Sequence, residues 1–164
     1  MKRAALILCL VALAACTLMA QRRWGWRAFG EGLRTAREIP SDSTGTPAWT
    51  NAPGFERDVL TFARIRYARG GYARGGGWMT DLPDSDLNLS FRLQQITSMK
   101  VDPDGRILRL TDPDLADFPF LYIVEPGGLY LDEDEVAALR NYLLNGGFLW
   151  LDDFWGEREW ANCE

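Results

Sequence analysis

The spacing of apolar and polar positions changes along the chain, and each change marks an element. From 21 to about 55 the stretch "QRRWGWRAFGEGLRTAREIPSDSTGTPAWTNAPGF" holds no sustained period and gathers Pro, Gly, Ser and Thr in its second half, the composition of a tether. "FARIRYA" (62–68) then alternates, with Ala63, Ile65 and Tyr67 against Phe62, Arg64 and Arg66, which predicts a first strand with one wetter face. "RGGYARGGGW" (69–78) is too rich in glycine to be anything but a loop. In "TDLPDSDLNLSFRLQQIT" (80–97), Asp81 and Pro83 are start signals and Leu89, Leu93 and Ile96 follow at helical spacing. "MKV" and "RILRL" read as short strands around the turn "DPDG". The run from Phe120 to Val124 in "FPFLYIVEPGG" is apolar on both faces, as a central parallel strand must be. "LDEDEVAALRNYLLNGG" (131–147) is the clearest helix: Asp132 caps it, Glu135 stands three residues on, Val136, Leu139 and Leu143 form its stripe, and Asn145 and Gly146 end it. "GGFLWLDDFWGEREW" (146–160) supplies a further strand expected to be buried on both faces, Phe148 and Trp150 on one and Leu149 and Leu151 on the other.

Strand and helix in alternation, joined by glycine turns, predict an α/β fold: a parallel sheet with flanking helices. Ligands of such sheets bind beyond the carboxyl ends of the strands. Three segments end there: the Gly-rich loop, "EPGG", and "DDFWGE". No closing helix or strand is visible after "NCE", which leaves open that the domain is truncated at its C-terminus.

The first residues add a compartment. "MKRAALILCLVALAAC" has a basic start at Lys2 and Arg3 and an apolar run to Ala15, the layout of a secretory signal peptide. The run falls short of the ~20 residues that span a bilayer. Two processing sites compete: "LAAC" resembles a bacterial lipobox, which would place a lipid on Cys16 after a leader of 1–15, and "LMA" offers ordinary cleavage after 1–20. The expected organisation is therefore leader, linker over 21–55, and one domain over 56–164, in an exported protein of the periplasm or a lipoprotein held to the membrane by its anchor. Loss of 1–20 removes Lys2 and Arg3 and no acid, moving the net charge from −5 to −7. That balance argues against nucleic acid as a partner.

Side-chain chemistry narrows the classes further. The chain has no histidine, so Ser-His-Asp and Cys-His catalysis and imidazole metal ligands are excluded within it. Cys9 and Cys16 lie in the leader and Cys163 is alone in the body, so no internal disulfide forms there. Carboxylates remain. Asp152 and Asp153 end a strand and, as neighbours on extended chain, point to opposite faces, so one can meet the crevice while the other caps the next turn. Glu125 ends the neighbouring strand and Asp81 begins the first helix, so both approach the same crevice. Without imidazole, such a group suits Mg²⁺ or Ca²⁺ better than zinc. Each acid also has a structural reading as a cap or Asx turn. Arg74, with Arg69 in the Gly-rich loop, offers a guanidinium to an anion. Trp155 and Trp160, beyond the last strand, are the aromatic contact candidates, while Trp150 reads as core.

Taken in order, "FARIRY", "GGWMTDLPDSDLNL", "LTDPDLADFPFLYIVEPGG" and "LRNYLLNGGFLWLDDFWGEREW" resemble the bacterial family called Domain of Unknown Function 4159. The resemblance runs from Phe62 to Trp160. It implies a flavodoxin-like fold of the class I glutamine amidotransferase type, in which a Pro-Gly-Gly turn contributes oxyanion-hole backbone and a Gly-x-Cys-x-Gly elbow carries the nucleophile. Pro126, Gly127 and Gly128 match the turn, which makes Gly127 and Gly128 ligand-binding candidates. The elbow cysteine is absent, since Asp152, Asp153 and Phe154 stand there, so glutaminase chemistry does not carry over. The expectation is a non-catalytic binding module of the cell envelope, for a saccharide or a protein. The competing class is a carboxylate-dependent, metal-assisted hydrolase acting on saccharides.

Overall fold

A computed structural model of the chain describes residues 30, 32–40, 45–54, 58–69 and 77–164. It divides into two units, Met1–Leu33 and Arg34–Glu164. In the first, only Gly30, Gly32 and Leu33 are described, with the Leu33 N–H donating to the Gly30 carbonyl at 3.4 Å. The expected leader and Cys16 lie outside the described residues.

The second unit holds β1 (Ala63–Ile65), β2 (Ala68–Arg69), α1 (Asp84–Ile96), β3 (Arg106–Leu108), β4 (Phe120–Val124), β5 (Leu129–Tyr130), α2 (Glu133–Leu144), β6 (Phe148–Asp152) and α3 (Gly156–Cys163). Four strands form one sheet in the order β3-β1-β4-β6. All its pairings are parallel, with Ala63 beside both Arg106 and Leu121 and with Phe120 to Val124 matched to Phe148 to Asp152. This is the strand order of the first four positions in a flavodoxin-like sheet. β2 and β5 make a separate antiparallel pair.

Burial of both sheet faces holds the unit together. Ala63, Ile65, Leu121 and Ile123 pack against Tyr142 and Leu139 of α2, and Phe62, Tyr122 and Val124 pack against Leu89 of α1. α2 begins as its sequence requires: Asp132 accepts from the Glu135 N–H at 2.9 Å, and Glu135 accepts from the Asp132 N–H at 3.1 Å. Its core face differs from the expected stripe. Tyr142 is buried while Val136 and Leu143 are exposed, because the face that meets the sheet is centred on Leu139 and Tyr142, about a sixth of a turn away. α1 is rotated likewise, with Asp86, Leu87 and Ser90 inward and Ile96 exposed, since Asp86 must reach a buried partner.

Two further expectations are corrected. β6 is not buried on both faces: among the described strands it is an outer one, with Phe148 60% and Trp150 43% exposed, and Leu89 of α1 packs on Phe62, Tyr122 and Val124 instead. From Arg34 on, the described part of the expected tether lies against the domain. Arg37 donates to the carbonyls of Thr46 and Pro103 at 2.7 and 2.6 Å, and the Trp49 indole donates to the Val101 carbonyl at 2.9 Å. The Ile107 N–H donates to the Arg34 carbonyl at 2.8 Å, which gives outer strand β3 a partner for its free edge.

Candidate functional site

Strand order reverses direction between β1 and β4, and the crevice of such a sheet lies at the carboxyl ends of those two strands. The chain leaves β1 through Tyr67, whose hydroxyl donates to the carbonyls of Val124 and Glu125 at 2.7 and 2.8 Å. That phenol ties the two strand ends across the crevice. Glu125, the first residue past β4, takes a left-handed conformation (φ 49°, ψ 50°). Its N–H donates to the Asp152 carbonyl at 2.9 Å, and its carboxylate accepts from the Gly77 N–H at 2.7 Å, where the chain returns from the Gly-rich loop. Glu125 therefore anchors the chain at Gly77.

Asp81 lies in the segment that follows, with φ 56°, and Asp153 follows β6 with φ 66°. Among the described residues, Asp81, Glu125 and Asp153 are the only non-glycine residues with positive φ. An Asp tolerates this conformation through its short polar side chain, whereas a Glu gains less from it. All three are acids, and Asp153 is within electrostatic reach of the other two. Partial burial raises the Asp153 carboxyl above its ordinary value, and the charges of Glu125, Asp152 and Asp81 raise it further, against an opposing hydrogen bond from Trp155.

Asp152 ends β6, whereas Asp153 lies past it in left-handed rather than extended backbone. Asp152 accepts the Tyr122 hydroxyl at 2.9 Å. Burial, then the hydrogen bond and charge of Asp152, push the Tyr122 phenol well above its usual range, so it stays protonated and donates. Neither aspartate caps α3. That task falls to Glu159, which accepts from the Trp155 N–H at 2.7 Å.

A buried ion pair holds the Asp81 segment in place. Arg64, expected on the wetter face of its strand, is wholly buried, and so is Asp86. The Arg64 Nε lies 3.0 and 3.1 Å from the two Asp86 carboxylate oxygens, and Nη1 donates to the carbonyls of Trp78 and Thr80 at 2.8 and 3.0 Å. The guanidinium also lies 5.0 Å from the centre of the Tyr122 ring. Sequence reading missed this residue and the two tyrosines. The one available signal was an arginine inside a run that is otherwise apolar on alternate positions.

Other candidates are placed as follows. Pro126, Gly127 and Gly128 form a 3-10 turn, with Gly128 buried. The Glu159 side chain lies directly on Gly127, leaving no room for a Cβ there, so this glycine serves the approach of α3. Asn162 of α3 donates to the Leu129 carbonyl at 3.1 Å. Trp155 and Trp160 are exposed, the latter edge-on to Phe154 at 5.4 Å. Trp150, expected in the core, lies on the open face. Arg74 falls outside the described residues. Among the described residues, no group of three or more acids or cysteines is arranged to hold a metal ion; the carboxylates crowd electrically without converging on one point.

Residues 61–164 match the family described as Domain of unknown function (DUF4159), and the chain belongs to it. No curated protein matches the chain.

Proposed function

We propose that this domain is an exported, non-catalytic binding module of the bacterial cell envelope, and that its ligand site is the acid-lined crevice beyond β1, β4 and β6. The observation that carries the reading is the set of strained acids. Backbone strain on non-glycine residues persists where surrounding structure enforces it, and it gathers at functional sites. Here its instances among the described residues are all carboxylates: Glu125 and Asp153, directly past β4 and β6, and Asp81, in the segment before α1. Such a rim suits a ligand that brings positive charge or several hydroxyl donors, as an amino sugar does, because it relieves the repulsion around Asp153. Export rests on the leader pattern at Lys2, Arg3 and the apolar run that follows, ending at Cys16 or Ala20.

The test is calorimetric titration of glucosamine and of its neutral N-acetylated counterpart into wild type and Asp153→Asn. Binding of the cation that weakens at least tenfold in the variant is expected; equal binding by both proteins, or none to either, rejects the site. The second reading is the carboxylate-dependent hydrolase. It is favoured by one feature, the raised Asp153 carboxyl beside Glu125, which is the arrangement that separates an acid from a base. Turnover of chromogenic glycosides abolished by Asp153→Asn would establish it in place of the first.

A further inference from the structure

The segment ahead of β1 does more than cover the edge of β3: it runs from that edge to α1. Near its start, Ala36 is wholly buried and its N–H donates to the Asp104 carbonyl at 3.0 Å. Arg37 then ties the two limbs of the segment, one end of its guanidinium on the Pro103 carbonyl before β3 and the other on the Thr46 carbonyl of the returning chain. From Thr46 on, the contacts are with α1. The Thr46 hydroxyl, in a residue 7% exposed, donates to the Asn88 side-chain oxygen at 3.1 Å, and the Trp49 ring lies 5.8 Å from that of Phe91. The Trp49 indole and the Asn51 amide both donate to the Val101 carbonyl, and the Val101 N–H donates to the Gln94 side chain of α1 at 3.1 Å. Segment, helix and the turn before β3 therefore meet at Val101.

We propose that residues 34–51 are a strap that holds α1 on the sheet, and that the backbone at Asp81, just ahead of α1, keeps its place through that strap. The family match begins at 61, so the strap lies outside the matched region and the folded unit starts well before it. The energetics of α1 give the strap its weight. On the sheet side the helix offers Leu89 to Phe62, Tyr122 and Val124, and Asp86 to Arg64. A buried ion pair fixes orientation, but the cost of desolvating both charges offsets much of its attraction. The aromatic pair and hydrogen bonds on the strap side act where the sheet side is thin, and local stability follows such contacts. The coupling to Asp81 runs through the first turn of α1. The Ser85 N–H donates to the Asp81 carbonyl at 2.9 Å, and the Ser85 hydroxyl and the Thr80 carbonyl both lie on the Arg64 guanidinium, at 2.6 and 3.0 Å. A helix that lifts at Asn88 and Phe91 draws Ser85 and Asp86 off Arg64, and the chain carrying Asp81 goes with them. This holds whatever ligand the crevice takes.

Hydrogen exchange followed residue by residue in the full chain tests this in Trp49→Ala, a substitution at a half-buried side chain. The amides of α1 from Leu89 to Ile96, and the Ser85 amide bonded to Asp81, are expected to exchange at least tenfold faster than in wild type. Those of α2 and β4 are expected to change by less than about twofold, with the circular dichroism spectrum retained. Thr46→Val keeps the side-chain shape, removes the hydroxyl bonded to Asn88, and carries the same outcomes should Trp49→Ala fail to fold. Exchange in α1 that matches wild type overturns the proposal, as does a change confined to residues 45–54, which would make the segment a passive cover. A rise in α2 equal to that in α1 overturns it too, since helix and strap would then open only with the whole domain. So does a Ser85 amide that stays slow while the rest of α1 speeds up, which would cut Asp81 off from the strap.

Discussion

Replacing Asp86 by Asn tests what holds the rim of the crevice. The substitution keeps the side-chain shape and removes the one carboxylate that faces the Arg64 guanidinium. Both residues are wholly buried, so water cannot move in to take the place of the lost charge. Breaking a buried pair by removing one partner costs about 3–5 kcal/mol, because an uncompensated charge stays inside. A domain's whole stability is roughly 5–15 kcal/mol, so the loss should be plain in urea denaturation and lower Tm by about 10 °C. The mechanism makes a sharper claim on a double-mutant cycle. Arg64→Met should destabilise the wild type, where it strands Asp86, yet stabilise an Asp86→Leu background, where it removes a stranded cation. The Trp78 and Thr80 carbonyls lose their donor in either case, so the double variant should not fully recover. A cost for Asp86→Asn below about 1 kcal/mol, or additive single substitutions, would refute the view that this pair anchors the Asp81 segment.

Three other outcomes are expected. Because the folded-state carboxyl of Asp153 lies above its ordinary value, the native protein binds more protons there than the unfolded chain, and stability falls as pH rises from the ordinary carboxylate range through the raised value. Asp153→Asn should therefore melt higher than wild type above that window and show no such gain well below it; a gain that ignores pH would refute the charge argument. Gly147→Ala should cost about 1–3 kcal/mol in chemical denaturation, since its Cβ would fall on the ring of Tyr142, which is buried and fixed by a 3.1 Å bond from its hydroxyl to the Phe148 carbonyl. Mass spectrometry of the protein made in a bacterial host should find a mature chain starting near Gln21 or at a lipidated Cys16, and an intact Met1 in the cytosolic fraction would contradict export.

Local chemistry is what the amino-acid sequence determined by itself. Alternation placed β1, unbroken apolar runs placed β4 and β6, and the Asp132–Glu135 box set the start of α2, because each signal acts over a few residues of the same segment. The order of strand and helix was enough for a parallel sheet, and the four acids at the strand and helix ends were legible as candidates. Which face of each element is covered was decided only by the assembled molecule. Phe148 and Trp150 have the pattern of a buried strand and are exposed because β6 is an outer strand among those described, a property of strand order that no local pattern carries. Arg64 looked like a surface residue until α1 delivered Asp86 to it across 22 positions of chain. The same holds for the left-handed turns at Asp81, Glu125 and Asp153: an acid at a strand end is common, and only the closure of Tyr67, Gly77 and Asp152 around Glu125 forces its backbone into a conformation that the residue alone would avoid.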